Sequence, residues 1–150
     1  MNSLLEFTEL LKNRLTDLLL IEADNDKHVF LYLADGYWTA FEKSAYRLCR
    51  IYEPVMLLPM RLPFVPFPIV TASINQDSLQ AALSGLACQK RTRNERIYLA
   101  ERDTNFTDYQ NWHDRATHAL RNLKEEALPP MICLLYTSPS PRYSTSSRMP

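Results

Sequence analysis

Residues 29–33, Val-Phe-Leu-Tyr-Leu, form an unbroken apolar run of strand length that Ala34-Asp35-Gly36 closes at once. A strand that alternates polar and apolar residues can leave one face in water, whereas a strand without polar positions suits a sheet covered on both faces. The chain therefore needs packing layers on two sides, and its flanking segments offer them. Before the run, Leu4, Phe7, Leu11, Leu15 and Leu18 recur at spacings of three and four, behind a Ser3-x-x-Glu6 capping-box pattern. This predicts a helix from about Leu4 to Glu22 that stops at Asp24-Asn25-Asp26. After the run, Trp38, Phe41, Ala45, Leu48 and Tyr52 repeat in the same way, which predicts a second helix opening directly at the Asp35-Gly36 turn and halted by Pro54.

Farther along, Val55–Leu58 has strand length, and Pro59–Pro68 carries four prolines. Proline has no N–H for a ladder, so that stretch reads as a sheet edge or an ordered extended loop, and its apolar residues argue that it packs on something. Ile69–Ile74 reads as a strand, Asp77 or Ser78 as the cap of a helix with Leu79, Ala82, Leu83 and Leu86 on its face, and Gln89–Arg96 as a charged loop. Ile97–Ala100 is a short strand. Thr107-x-x-Gln110 then caps a helix striped by Tyr109, Trp112, Ala116, Leu120 (or Ala119), Leu123 and Ala127 and ended by Pro129-Pro130. Strands and helices alternate irregularly, so the expected fold is α+β: a mixed β-sheet flanked by helices, with an N-terminal amphipathic helix.

The segment Cys133–Arg142, Cys-Leu-Leu-Tyr-Thr-Ser-Pro-Ser-Pro-Arg, resembles the translation of a transposase-type sequencing adapter, and Ser147–Pro150 resembles the next adapter block in the same frame. Residues 133–150 are accordingly expected to be a non-native, disordered tail, and residues 1–132 a single domain that continues in the natural protein. A domain of that length buries about two-thirds of its unfolded surface. Setting aside Arg142 and Arg148, the 17 basic residues become 15 against 17 acidic, which is not the excess expected of a protein held on nucleic acid mainly by phosphate contacts. Cys49 and Cys88 form no CxxC pair, so neither a disulfide framework nor a cysteine zinc site is expected, and a reduced, cytoplasmic setting is the simplest expectation. No apolar stretch is long enough to span a membrane.

Gly36 and Gly85 are the two glycines. Phosphate-binding loops need several for tight turns and close backbone approach, so neither a P-loop nor a dinucleotide fingerprint can be built, and no cofactor is expected. His113 and His118 lie five residues apart, about 140° around a helix, which does not converge on a metal. Asp114, next to His113, would not face it on a helix. With no convergent acid, base or nucleophile, a non-catalytic protein is expected. Two features suit binding: the aromatic Tyr37 beside the turn, and the basic cluster Lys90, Arg91, Arg93 and Arg96, which suits phosphate contacts.

The residues Leu31-Tyr32-Leu33-Ala34-Asp35-Gly36-Tyr37-Trp38-Thr39-Ala40-Phe41 with Ala45, followed by Pro66-Phe67-Pro68-Ile69-Val70 through Leu83, resemble the N-terminal mismatch-recognition domain (domain I) of the MutS family over about half of the native chain. The resemblance implies that fold, and a turn whose aromatic wedges beside a mispaired base, a minor-groove device. Tyr37 falls at the position of that aromatic. Thr39 falls where the family carries a base-contacting Glu, and Asp35-Gly36 reverses the family's Gly-Asp order. Double-stranded DNA is the partner this implies, with Tyr37, Lys90, Arg91, Arg93 and Arg96 as contacts and without mismatch reading at position 39. The alternative expectation is a protein-interaction module that keeps the fold and meets a protein partner through Pro59–Pro68.

Overall fold

The computed structural model describes residues 5–63, 65–100 and 105–121. Ser3 and Leu4, Leu123 and Ala127 of the last helical stripe, and the 133–150 tail lie outside them. The elements follow in the order α1 (Leu5–Ala23), β1 (His28–Ala34), β2 (Tyr37–Phe41), α2 (Glu42–Ile51), β3 (Met56–Met60), β4 (Ile69–Asn75), α3 (Gln76–Leu83), β5 (Ala87–Arg91), β6 (Glu95–Leu99) and α4 (Phe106–Arg121). The fold is α+β. The strands form one sheet in the order β3-β4-β2-β1-β6-β5, and every pairing in it is antiparallel rather than mixed. Hairpins account for much of this, since β1–β2 and β5–β6 are joined by tight turns that return the chain alongside itself.

The unbroken apolar run becomes β1, which lies inside the sheet and is covered on both faces. Phe7, Leu11, Leu15 and Leu18 of α1 pack with Tyr32, Ala34 and Phe41 on one face. Val29, Leu31, Trp38 and Ala40 pack on the other with Ala45 and Leu48 of α2 and Leu79 and Leu83 of α3. Each buried Leu or Phe contributes about 1.5–3 kcal/mol.

The second helix does not open at the Asp35-Gly36 turn. Tyr37–Phe41 is a strand, and α2 starts at Glu42. Asp35 and Gly36 both have positive φ, 55° and 83°, the backbone of a two-residue hairpin turn that matches strand twist. Trp38 and Phe41 do belong to the core, but on opposite faces of the sheet, because Trp38 and Ala40 point one way and Thr39 and Phe41 the other. Replacing Gly36 by Ala is expected to cost about 1 kcal/mol, because φ is +83° there although an added Cβ meets nothing within 4 Å. The same change at Gly85, where the Cβ position is equally open and φ is not positive, is expected to be near neutral. Urea midpoints of the two variants check the contrast.

Strand turns to helix at Glu42, a non-glycine residue at φ 50°. Its carboxylate Oε1 accepts the N–H of Val70 at 2.9 Å and faces His113 Nε2 at 2.8 Å. That arrangement also explains how Pro59 sits within β3. Pro59 is opposite Val70, whose N–H is taken by Glu42, so the missing donor of proline breaks no ladder bond. β3 is an edge strand, as its proline requires, although it runs to Met60 rather than ending at Leu58.

Gln89–Arg96 is not a loop. It spans parts of β5 and β6, joined through Thr92–Asn94. All five residues of β5 are exposed, so the strand has no apolar rhythm, and its lysine and arginine mark a protected sheet edge. α3 is capped by Asn75, whose Oδ1 accepts the Ser78 N–H at 3.0 Å, rather than by Asp77 or Ser78.

Candidate nucleic-acid interface

The pairing registers carry the sequence-predicted contacts to one end of the sheet. Ala34 pairs with Tyr37 across the β1–β2 turn, and Tyr32 pairs with Glu95 at the start of β6. The Leu33 N–H donates to the Asn94 carbonyl at 2.9 Å, so the two hairpin turns lie side by side. Tyr37 is 40% exposed there and pairs with Asn75, the cap of α3. The Gln76 N–H donates to the Gly36 carbonyl at 3.3 Å and ties α3 to the same turn.

Asp35 of this turn is committed to the fold. Its two carboxylate oxygens accept the N–H groups of Glu6 and Phe7 at 3.2 and 2.9 Å, and Glu6 Oε1 accepts the Asp35 N–H at 2.7 Å. This is reciprocal capping of α1 by a residue 28 positions beyond Phe7. The β1–β2 turn is therefore tied to the first turn of α1.

The basic residues divide. Arg91 and Arg93 are exposed and make no ion pair among the described residues. Lys90 Nζ is 3.1 Å from Glu95 Oε1, and Arg14 is 2.7 Å from the other Glu95 oxygen. The Arg14 hydrogen bond, then Lys90, hold the Glu95 carboxyl below its usual range. Arg96 lies with its guanidinium 4.7 Å from the centre of the Trp38 ring, on the α2 side of the sheet, with its Nε buried and unpartnered. Lys90 and Arg96 are thus bound up in the fold, and Tyr37, Arg91 and Arg93 remain open to a ligand. A groove of about 550 Å³ between α1 and the two hairpins runs past Arg93 and Asn94, with Glu6 and Glu9 on its helical wall.

Thr39 points into the molecule. It is 2% exposed and its Oγ1 lies 2.8 Å from Ser73 Oγ. A side chain so placed has no access to a base.

Two buried polar groups have no motif in the sequence to mark them. Glu22 accepts from the Ser44 N–H at 2.9 Å, Ser44 Oγ at 2.6 Å and Asn25 Nδ2 at 3.1 Å. Burial pushes its carboxyl up to about 7 against those bonds and the nearby Arg47. Arg47 donates to the carbonyls of His28, Asn25 and Asp26 at 2.8, 3.1 and 2.6 Å. The second group is Glu42 with His113. The carboxylate can only accept, so Nε2 carries the proton toward it. His113 therefore finds its acid 71 residues away rather than in Asp114. Desolvation raises the Tyr109 hydroxyl and moves the Cys49 thiol up to about 11. The groove past Arg93 and Asn94 is lined by neither Glu42 nor His113. His28 Nε2 meets Gln89 at 2.9 Å at the surface.

Among the described residues no group of three or more His, Cys, Asp or Glu is arranged to hold a metal, and no helix is long and apolar enough to cross a membrane. The apolar part of the Pro59–Pro68 segment serves the protein's own core: Met60, Leu62, Val65 and Pro68 are buried, and Pro66 and Phe67 face outward. Comparison of the chain with protein-family models, curated proteins and solved structures gives no match.

Proposed function

We propose that this chain is a non-catalytic, MutS domain I-like module that holds duplex DNA against the turn end of its sheet, through Tyr37, Arg91 and Arg93, without reading mismatches at position 39. The observation that carries the reading is the side-by-side placement of the β1–β2 and β5–β6 turns, which puts the exposed aromatic and the basic hairpin tip at the same end of the sheet, with β1 between them. Phosphate contacts from arginine supply sequence-independent affinity, and an aromatic at the same surface supplies a stacking or wedging group. The buried Thr39 supports binding that ignores base pairing.

Anisotropy of labelled matched and mismatched duplexes tests it. Equal binding to both is expected, weakening as salt rises. Arg91→Ser with Arg93→Ser is expected to lower the salt slope by about 2, one contact each, and Tyr37→Ala to weaken binding about tenfold. A protein partner is the second reading, favoured by Met56 and Phe67, 53% and 45% exposed at and beside the β3 edge. Failure of both duplexes to bind at low salt removes the first reading and leaves the second.

A further inference from the structure

A groove of about 480 Å³ lies between α2 and α4, away from the hairpin turns. Tyr46 and Arg50 come from α2, and Asp108, Asn111, Trp112 and Arg115 come from α4. The α4 residues recur at spacings of three, one and three, so they share one helix face. That face is not simply solvated. Trp112 is half-buried and meets the Tyr46 ring at 5.3 Å, which gives the groove an aromatic floor. Arg50 stands over Tyr46 at 5.6 Å on one wall, and the exposed Arg115, which makes no ion pair among the described residues, stands on the other. Two cations against the single Asp108 leave the groove with one net positive charge. The walls are set before any ligand arrives, because His113 joins α4 to Glu42 at the head of α2 at 2.8 Å, and Tyr109 packs on Tyr46 at 5.8 Å.

We infer that this groove binds a nucleoside monophosphate unit, its base on Trp112 and its phosphate between Arg50 and Arg115. A π-face beside two guanidinium groups matches the two parts of that ligand: stacking is tolerant of base identity, and arginine forks suit phosphate oxygens. Asn111 adds a donor and an acceptor at the rim. The volume lies in the range of small-ligand sites. The unit is either a free nucleotide or an unpaired nucleotide of a strand, and the inference is independent of duplex binding at the hairpin turns.

The test is a titration of the full chain with AMP, and separately with a short single-stranded DNA, following the Trp112 indole signal by nuclear magnetic resonance. Saturable shifts are expected with at least one probe. AMP acting alone identifies a free-nucleotide site, and tighter binding of the oligonucleotide identifies a strand site. Arg50→Ser with Arg115→Ser, both at exposed positions, is expected to weaken binding about tenfold or more, and Trp112→Leu, followed through the backbone amide signals of α4 because the indole is gone, by a similar factor, about 1.4 kcal/mol each. Tyr37→Ala is expected to leave it unchanged, which separates this site from the duplex interface. No shift with either probe overturns the inference. So does equal affinity in the double arginine variant, or inorganic phosphate binding as well as AMP.

Discussion

Replacing Arg47 by Met is expected to lower the unfolding free energy by about 3 kcal/mol or more, which is the range for removing one partner of a buried charged network. The side chain is 5% exposed, and its guanidinium gathers the carbonyls of His28, Asn25 and Asp26. These carbonyls belong to the turn that passes from α1 to β1. Methionine keeps most of the aliphatic bulk but leaves all three acceptors without this donor and Glu22 without its nearby cation. Lysine at the same position keeps the charge but not the planar fork, so Arg47→Lys is expected to recover only part of the loss. Urea unfolding of the three proteins reads the difference. A loss under about 1 kcal/mol in Arg47→Met would mean that water replaces the guanidinium and that the turn is less enclosed than its burial indicates.

The contribution of Glu22 to stability is expected to fall as pH rises from about 4.5 to about 7. Its carboxyl is raised from 4.5 to about 7, desolvation being the largest contribution. In the unfolded chain the proton leaves near 4.5, whereas the folded protein keeps it until about 7. Between those values the folded state binds more protons, so the contribution is complete below the lower value and is lost as pH rises through the upper. The gap corresponds to about 3 kcal/mol. Glutamine mimics the protonated acid: its carbonyl still accepts from Ser44 and Asn25, and its amide donates to Ser44 Oγ. The stability of Glu22→Gln is therefore expected to be flatter with pH over this window, and the difference between the two profiles isolates Glu22 from other titrating groups. Parallel profiles for the two proteins would contradict the assignment.

Local patterns carried the helices better than the strands. Leu11, Leu15 and Leu18 repeat along α1 because a helix buries every third or fourth residue, and Tyr109 and Leu120 do the same on α4. Residues 38–41 were ambiguous, since Trp38 and Phe41 are three apart and fit a helix stripe, while Trp38 with Ala40 and Thr39 with Phe41 fit the two faces of a strand. Asp-Gly between apolar runs is a hairpin signal that favours the strand, but the spacing of Trp38, Phe41, Ala45 and Leu48 outweighs it when the segment is read as a helix. β5 carried no cue in hydropathy, because a fully exposed edge strand buries nothing. Of the candidate interface, Tyr37, Arg91 and Arg93 were legible as residue types, but the engagement of Lys90 by Glu95 and of Arg96 by Trp38 was not.

What the sequence determined by itself was a sheet covered on two sides, because the demand of an apolar run for burial is written in consecutive residues. It also excluded glycine-rich phosphate loops, because two glycines cannot build them. Only the tertiary structure decided that Asp35 caps α1, that Glu42 meets His113, that Arg47 clamps the turn before β1, and that Leu33 of β1 is bonded to Asn94 of the Thr92–Asn94 turn. Each of these joins residues far apart in the chain through strand register and helix packing. A hydrogen bond fixed by register leaves no periodic trace in either of the segments it connects.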